Sequence, residues 1–252
     1  MTERLVFIGL IVFAYALGAL PLTYVMARRW ANVDLHEEGS GSVGATNVMR
    51  TAGWPLGLLV LVFDVGKGAL AVWIAERVLV SGINSWLGTD IIAGYDAAGV
   101  GAGIGSGFST GFTSGFGAGI DHGLSGTTYA MIVASTGVAV IVGHVYPVTL
   151  GFRGGKGVAT ACGVFSILAP HAALLAVVAF AIVAWTTRYV SLGSIAGAVV
   201  LPLACAASAE VPETLLASCA AAIIIVLRHR ENLNRLHAGT EPRFGRQYTE
   251  RS

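Results

Sequence analysis

The sequence predicts an all-α polytopic membrane protein of about seven transmembrane helices, with the N-terminus outside and the C-terminus cytoplasmic. Three observations carry that prediction. Only 12% of the 252 residues are charged and the mean hydropathy is +0.74, whereas soluble domains run at about 25% charged. Seven apolar runs approach the roughly 20 residues that a bilayer crossing needs. Lysine and arginine follow every second run, the bias that sets sidedness. The chain reads as one membrane domain over 1–252, with a glycine-rich insert at about 81–127. Cys162, Cys205 and Cys219 lie inside apolar runs at spacings that match no metal or redox motif.

The runs are 5–27, 54–79, 129–150, 157–170, 171–187, 190–208 and 211–228. The first ends in Tyr24-Val-Met-Ala-Arg-Arg29 without a small-residue cleavage site, so it reads as a retained helix. The fourth and fifth meet at Ala169-Pro170-His171, a tight hairpin, because proline disfavours helix in the residue before it. Arg28, Arg29 and Arg50 follow the first run, Arg153 and Lys156 the third, and Arg188 the fifth. The seventh is followed by Arg228, Arg230, Arg235, Arg243, Arg246 and Arg251. No Lys or Arg lies between Val78 and Phe152, and Glu210 and Glu213 mark the segment after the sixth run. Arg4, isolated beside Glu3, is the one dissent.

In the insert, Gly99, Gly103, Gly107, Gly111, Gly115, Gly119 and Gly123 recur every fourth residue, each followed by an apolar residue. Glycine costs about 1 kcal/mol per position in a helix relative to alanine, so the tract reads as a low-complexity outer loop in preference to a GxxxG packing ridge.

Polar residues gather in the predicted cytoplasmic segments. Gly39-Ser-Gly-Ser-Val-Gly44 is a GxGxxG, but no strand precedes it and the acidic residue at dinucleotide spacing, Asp64, lies inside a span. What survives is a donor set for phosphate oxygens: backbone at Gly39, Gly41 and Gly44, hydroxyls at Ser40, Ser42 and Thr46, the Asn47 amide and the Arg50 guanidinium. Phe152-Arg-Gly-Gly-Lys-Gly157 approaches a Walker A end, yet Leu150 and Gly157 stand where glycine and a hydroxyl are required. Gly154, Gly155 and Gly157 around Lys156 at a helix start still make an anion site.

Beyond the last run, a continued helix would bring His229, Asn232 and Arg235 or Leu236 to one face. A basic helix that only meets anionic lipid is the alternative there. Asp64 and Lys67, three residues apart within a span, read as an ion pair facing a substrate cavity; His144 either lines the same cavity or is a hydrogen-bonded residue of the bundle. Ser191 and Ser194 either donate to a phosphate or cap their helix.

These segments, in this order, resemble the bacterial acyl-phosphate-dependent glycerol-3-phosphate acyltransferases, the PlsY family. The matching stretches are Gly39–Arg50, Asp64–Gly68, Gly143–Pro147, Gly154–Thr160, Ser191–Ile195, His229–Asn232 with Arg235-Leu236, and Gly239–Glu241. Ser42 stands where the family usually has asparagine, and the insert exceeds the family's second connection. The resemblance implies a seven-helix enzyme of the bacterial inner membrane, with its active site on the cytoplasmic side. It would transfer an acyl chain from acyl phosphate to the 1-hydroxyl of glycerol 3-phosphate, the first step of phospholipid synthesis, giving lysophosphatidate and phosphate.

Carried over by position, Ser40, Arg50, Lys156, Ser194, His229 and Asn232 hold the substrates, with Lys67 and Glu241 in support. The residues suit that chemistry. Arg50 and Lys156 offset the repulsion between two anionic substrates, and an acyl phosphate is already activated, so no nucleophilic Ser or Cys is needed. The proton acceptor is either His229 or the donor phosphate. No cofactor, metal or nucleic acid is called for, and the motifs do not set the oligomeric state. A transporter for a phosphorylated solute is the alternative class, though no pair of Gly/Pro-broken helices recurs in matching halves.

Overall fold

The structure, a computed structural model, describes residues 2–87 and 126–244; the glycine-repeat reading lies outside the described residues. Among the described residues there are ten α-helices: α1 (Thr2–Gly18), α2 (Leu22–Trp30), α3 (Ala45–Thr51), α4 (Trp54–Leu87), α5 (Gly126–Val145), α6 (Val158–Leu168), α7 (Pro170–Thr187), α8 (Val190–Ala207), α9 (Pro212–Arg228) and α10 (Arg230–His237). The outside of the bundle is apolar: Trp185 is 85% exposed and Leu203, Leu216 and Leu227 are all exposed. Asp64, Lys67, His144 and Thr160 are buried. A surface greasier than its polar-bearing interior is the signature of a lipid-solvated protein.

All seven expected runs are helical, with two differences in detail. Five stretches are long and apolar enough to cross a membrane, namely Arg4–Trp30, Trp54–Val80, Gly126–Leu150, Pro170–Thr187 and Val190–Ala207. The α9–α10 pair, bent by 50°, makes a sixth. The remaining run, α6, has only 11 residues, roughly 16 Å at 1.5 Å per residue against about 30 Å of hydrocarbon. It turns into α7 at Ala169-Pro170, where the sequence placed the hairpin.

The second difference is the first run, which breaks at Ala19-Leu20-Pro21 instead of continuing. Pro21 has no N–H to give, so the carbonyls of the preceding turn lose helical partners. Two distant side chains replace them: Lys67 Nζ donates to Gly18 O at 3.3 Å and Thr149 Oγ1 to Ala19 O at 2.6 Å.

Helices pack where glycine lets backbones touch, as bilayer-embedded bundles require. A Cβ on Gly143 of α5 would strike the Tyr15 carbonyl of α1, and one on Gly68 of α4 the Thr160 carbonyl of α6. On α8, Gly193 and Gly197 lie against the Phe180 and Ala176 carbonyls of α7 in the same way.

Candidate active site

The segments after α2, α5, α7 and α9 meet at one end of the bundle. Val43 O lies against Gly155, Arg228 reaches the Gly154 and Gly155 carbonyls, and Phe244 N donates to Arg188 O at 2.8 Å. Each pair of these segments is separated by an out-and-back pair of helices, the pattern that the alternating positive charge anticipated.

The Gly39–Arg50 segment is organised by Asn47, which is 2% exposed. Its Oδ1 accepts Ser40 N at 2.8 Å, and its Nδ2 donates to Glu38 O at 3.0 Å and Leu35 O at 3.4 Å. Gly39, at φ +65, has no room for a Cβ beside the Asn47 side chain. Gly41 N donates to Glu38 O and Gly44 N to Ser42 O. The Ser40, Gly41 and Gly44 amides and the Asn47 side chain are therefore occupied in holding the loop, and in this conformation are not open to phosphate as the sequence suggested. Thr46 is half-buried in the first turn of α3.

The second loop shows the same economy. Gly154 N donates to Val145 O at 3.2 Å and Gly155 N to His144 O at 3.1 Å, so these two glycines serve close packing in this conformation. A Cβ on Gly154 would meet the His144 carbonyl and Pro147, and one on Gly155 the His144 ring. Gly157 differs: it opens α6 at φ +85, a left-handed conformation that L side chains resist. Beneath the loop, Lys67 Nζ contacts Asp64 Oδ1 at 2.8 Å and His144 Nδ1 at 2.7 Å. The expected Asp64–Lys67 pair is present, and all three groups are buried, which turns Lys67 away from a substrate cavity.

The third cluster is bent where the sequence reading continued the helix. His229 is 2% exposed and its Nδ1 pairs with Ile225 O at 2.8 Å. That ring bond shares the carbonyl with the His229 N–H, which is itself divided between Ile225 and Val226, and the helix turns there by 50°. The α10 C-terminus closes with the Gly239 N–H on Leu236 O and the Thr240 N–H on Arg235 O, a Schellman turn around Gly239 at φ +70. The turn returns Glu241 to its own helix. Asn232 Nδ2 then donates to Glu241 Oε1 at 2.7 Å and Arg235 Nε to Oε2 at 2.8 Å. The Asn232 amide is thereby aimed, and its Oδ1 accepts from Lys156 Nζ at 2.5 Å.

Lys156, Asn232, Glu241 and Arg235 thus form one chain of hydrogen bonds between the second and third clusters. Burial lowers the Lys156 pKa to about 8, with the Glu241 charge opposing the shift and those of Arg235 and Arg50 adding to it. Burial also takes His229, just beyond α9, down to about 4, helped by the Lys156 charge. Burial raises Glu241, but its side-chain hydrogen bonds outweigh that and hold it below the usual carboxylate range. Ser191 Oγ lies near this carboxylate without completing a hydrogen bond. Ser194 Oγ donates to Val190 O at 2.9 Å inside its own helix, and Tyr189, not a serine, is the α8 N-cap.

From Lys156 the first turn of α6 leads into an open apolar groove between α6, α7, α8 and α9, with a cavity volume of about 60 Å³. Val158, Cys162, Phe165, Phe180 and Leu201 line it, and Ser194 is on its wall. One contributor escaped the sequence reading. Arg228 reads from the sequence only as part of the positive charge after the last run, yet Nε and Nη2 donate to Gly155 O at 3.4 Å and Gly154 O at 3.3 Å, with its charge 5.5 Å from the Tyr146 ring centroid. Its place at the end of the last apolar run, beside His229, was the available signal.

Comparison with known proteins gives a consistent result. The glycerol-3-phosphate acyltransferase family matches residues 8–239. A glycerol-3-phosphate acyltransferase of Syntrophotalea carbinolica is 36% identical over 231 residues, covering 92% of this chain and 94% of its own. One from Geobacter sulfurreducens is 35% identical over the same shares, and one from Synechococcus elongatus 35% identical over 94% of each chain. The crystal structure of PlsY, an integral membrane glycerol 3-phosphate acyltransferase, in its glycerol 3-phosphate form superposes with a TM-score of 0.71 at 32% identity, over 95% of this chain and 96% of that one. Its lysophosphatidic acid form gives 0.69 at 32% identity, over 95% of each chain.

Proposed function

The chain belongs to the glycerol-3-phosphate acyltransferase family, and from that premise we propose how its cationic end transfers an acyl chain from acyl phosphate to the 1-hydroxyl of glycerol 3-phosphate. It is an integral membrane acyltransferase whose product is lysophosphatidate; the other product of this donor is inorganic phosphate. The observation that carries the reading is the position of Lys156, fixed by Asn232 at the point where the polar network meets the apolar groove. An acyl phosphate has that same division, an anionic head on an apolar tail. Its tail lies in the groove and its phosphate between Lys156 and Arg50.

The glycerol hydroxyl attacks the acyl carbonyl carbon, a C–O bond forms, and the bond from that carbon to the phosphate oxygen breaks. Lys156 and Arg50 take up the charge on the departing phosphate, while the Ser40 hydroxyl faces the oxyanion. Ser194, on the groove wall, is placed to turn its hydroxyl from Val190 O to the donor. With Nδ1 on Ile225 O, His229 keeps Nε2 as an acceptor for a substrate hydroxyl. A pKa of about 4 makes it a weak base near neutral pH, so the proton goes to the leaving phosphate and His229 positions. His229→Ala should accordingly raise KM for glycerol 3-phosphate while kcat stays near wild type.

The site faces the cytoplasm, because the arginines and lysines cluster at this end, and helical spans in place of a β-barrel suit the bacterial inner membrane. On that topology α6, shorter than the other spans, is the remaining crossing. The direct test supplies purified protein with glycerol 3-phosphate and palmitoyl phosphate, with palmitoyl-CoA and acyl carrier protein thioesters in parallel. Lysophosphatidate and phosphate from the acyl phosphate alone are expected. No product from it, together with glycerol 3-phosphate uptake into vesicles, would overturn the reading in favour of a transporter.

A further inference from the structure

We propose that the buried Asp64–Lys67–His144 triad positions the Gly154–Lys156 loop, which makes Lys67 and His144 positioning residues for the transfer and not ligands of either substrate. The inference rests on the role given to Lys156 above. An ammonium has three protons, and Lys67 has three acceptors: Asp64 Oδ1 at 2.8 Å, His144 Nδ1 at 2.7 Å and Gly18 O at 3.3 Å. None is left for a phosphate oxygen. Asp64 Oδ1 at 3.4 Å from His144 Nδ1 completes the triangle. The two contacts on Nδ1 together hold the ring in one orientation.

That ring is the floor of the loop. The Gly155 α-carbon sits so close above His144 Nε2 that a Cβ would overlap it, and His144 O accepts the Gly155 N–H. Gly18, Lys67, His144, Gly154 and Gly155 help to line one small pocket under the loop. From the other side Arg228 holds the Gly154 and Gly155 carbonyls. Lys156, the next residue, leaves this clamp in a defined direction and reaches Asn232. A triad that only tied α1, α4 and α5 together would be served as well by apolar packing, since buried ion pairs add little net stability.

The experiment compares the double variant D64N/K67M, which removes both charges at once, with His144→Asn and His144→Leu. Each is purified in detergent and measured for thermal midpoint, kcat, both KM values and the pH dependence of kcat/KM. D64N/K67M is expected to melt near the wild type yet lose about 100-fold in kcat/KM, the scale of an ångström-sized misplacement. The alkaline limb belonging to Lys156 should move to higher pH as the loop loosens into water. His144→Asn, which keeps an acceptor for Lys67, should lose less than His144→Leu. Wild-type kinetics in D64N/K67M, equal losses in the two His144 variants, or loss of folded protein from all three would overturn the proposal. Inactive wild-type protein would instead overturn the acyltransferase reading beneath it.

Discussion

Replacing Asn232 by alanine removes both ends of the relay between Glu241 and Lys156. Two hydrogen bonds disappear, from Lys156 Nζ to Oδ1 and from Nδ2 to Glu241 Oε1. A hydrogen bond to a charged partner is worth about 1.5–3 kcal/mol. The first bears on where the ammonium stands in the transition state. Its loss should cost about 2–3 kcal/mol there, or about 30- to 160-fold in kcat/KM at roughly 1.4 kcal/mol per decade. The second bears on folding, where Arg235 still holds the Glu241 Oε2, so the thermal midpoint should fall only modestly. Lysophosphatidate formation from palmitoyl phosphate, with both substrates varied, separates the two effects. Asn232→Asp is the informative control: it keeps an acceptor for Lys156 but sets a second anion against Glu241. Asn232→Ala within threefold of wild type in kcat/KM would refute the reasoning, because Lys156 would then need no orientation from this side chain.

Lys156 has its pKa lowered to about 8, so the cation is present below that pH and lost above it. Wild-type kcat/KM should fall as pH rises through about 8, and Lys156→Arg should flatten that limb. His229 sits at about 4 folded against an ordinary 6.5, so the unfolded chain binds the extra proton between those values and stability is lost as pH falls through them. Thermal midpoints between pH 7 and pH 4.5 check this, with His229→Gln expected to remove part of the dependence. Cys162→Phe would fill the groove, so KM for palmitoyl phosphate should rise far more than KM for an octanoyl donor, with KM for glycerol 3-phosphate unchanged. Ser42→Asn restores the family's residue and should leave activity intact or raise it; a large loss, measured as kcat/KM, would mean that the first loop is arranged differently from its relatives.

Much of this was legible from the residues. The runs of apolar sequence and the alternation of arginine gave the helices and the single polar end, and Pro170 marked the α6–α7 turn to within a residue. Local chemistry explains that success, since hydropathy and proline act over a few positions. What stayed hidden depends on contacts distant in sequence. At the Pro21 break the freed carbonyls are met by Lys67 and Thr149, which arrive from 49 and 130 positions away. Glycine spacing shows where backbone can approach something closely, but not what. At Gly154 and Gly155 the neighbour is His144, so a pattern read as a phosphate cradle is in large part a packing surface. Arg228 belongs to the same class, its carbonyl partners lying 73 and 74 positions away.

Leu87 and Gly126, where the described part of α4 stops and α5 begins, lie at the far ends of those helices from Trp54 and Val145, which stand beside the polar network. Adding to a flexible connection costs about 0.6 kcal/mol for each doubling of its length, whereas a single methyl on Gly155 meets the His144 ring. At the pole around His144, length therefore cannot drift. A reporter or affinity handle spliced into the 88–125 connection should leave turnover unaffected, and the same handle between Phe152 and Lys156 should abolish it.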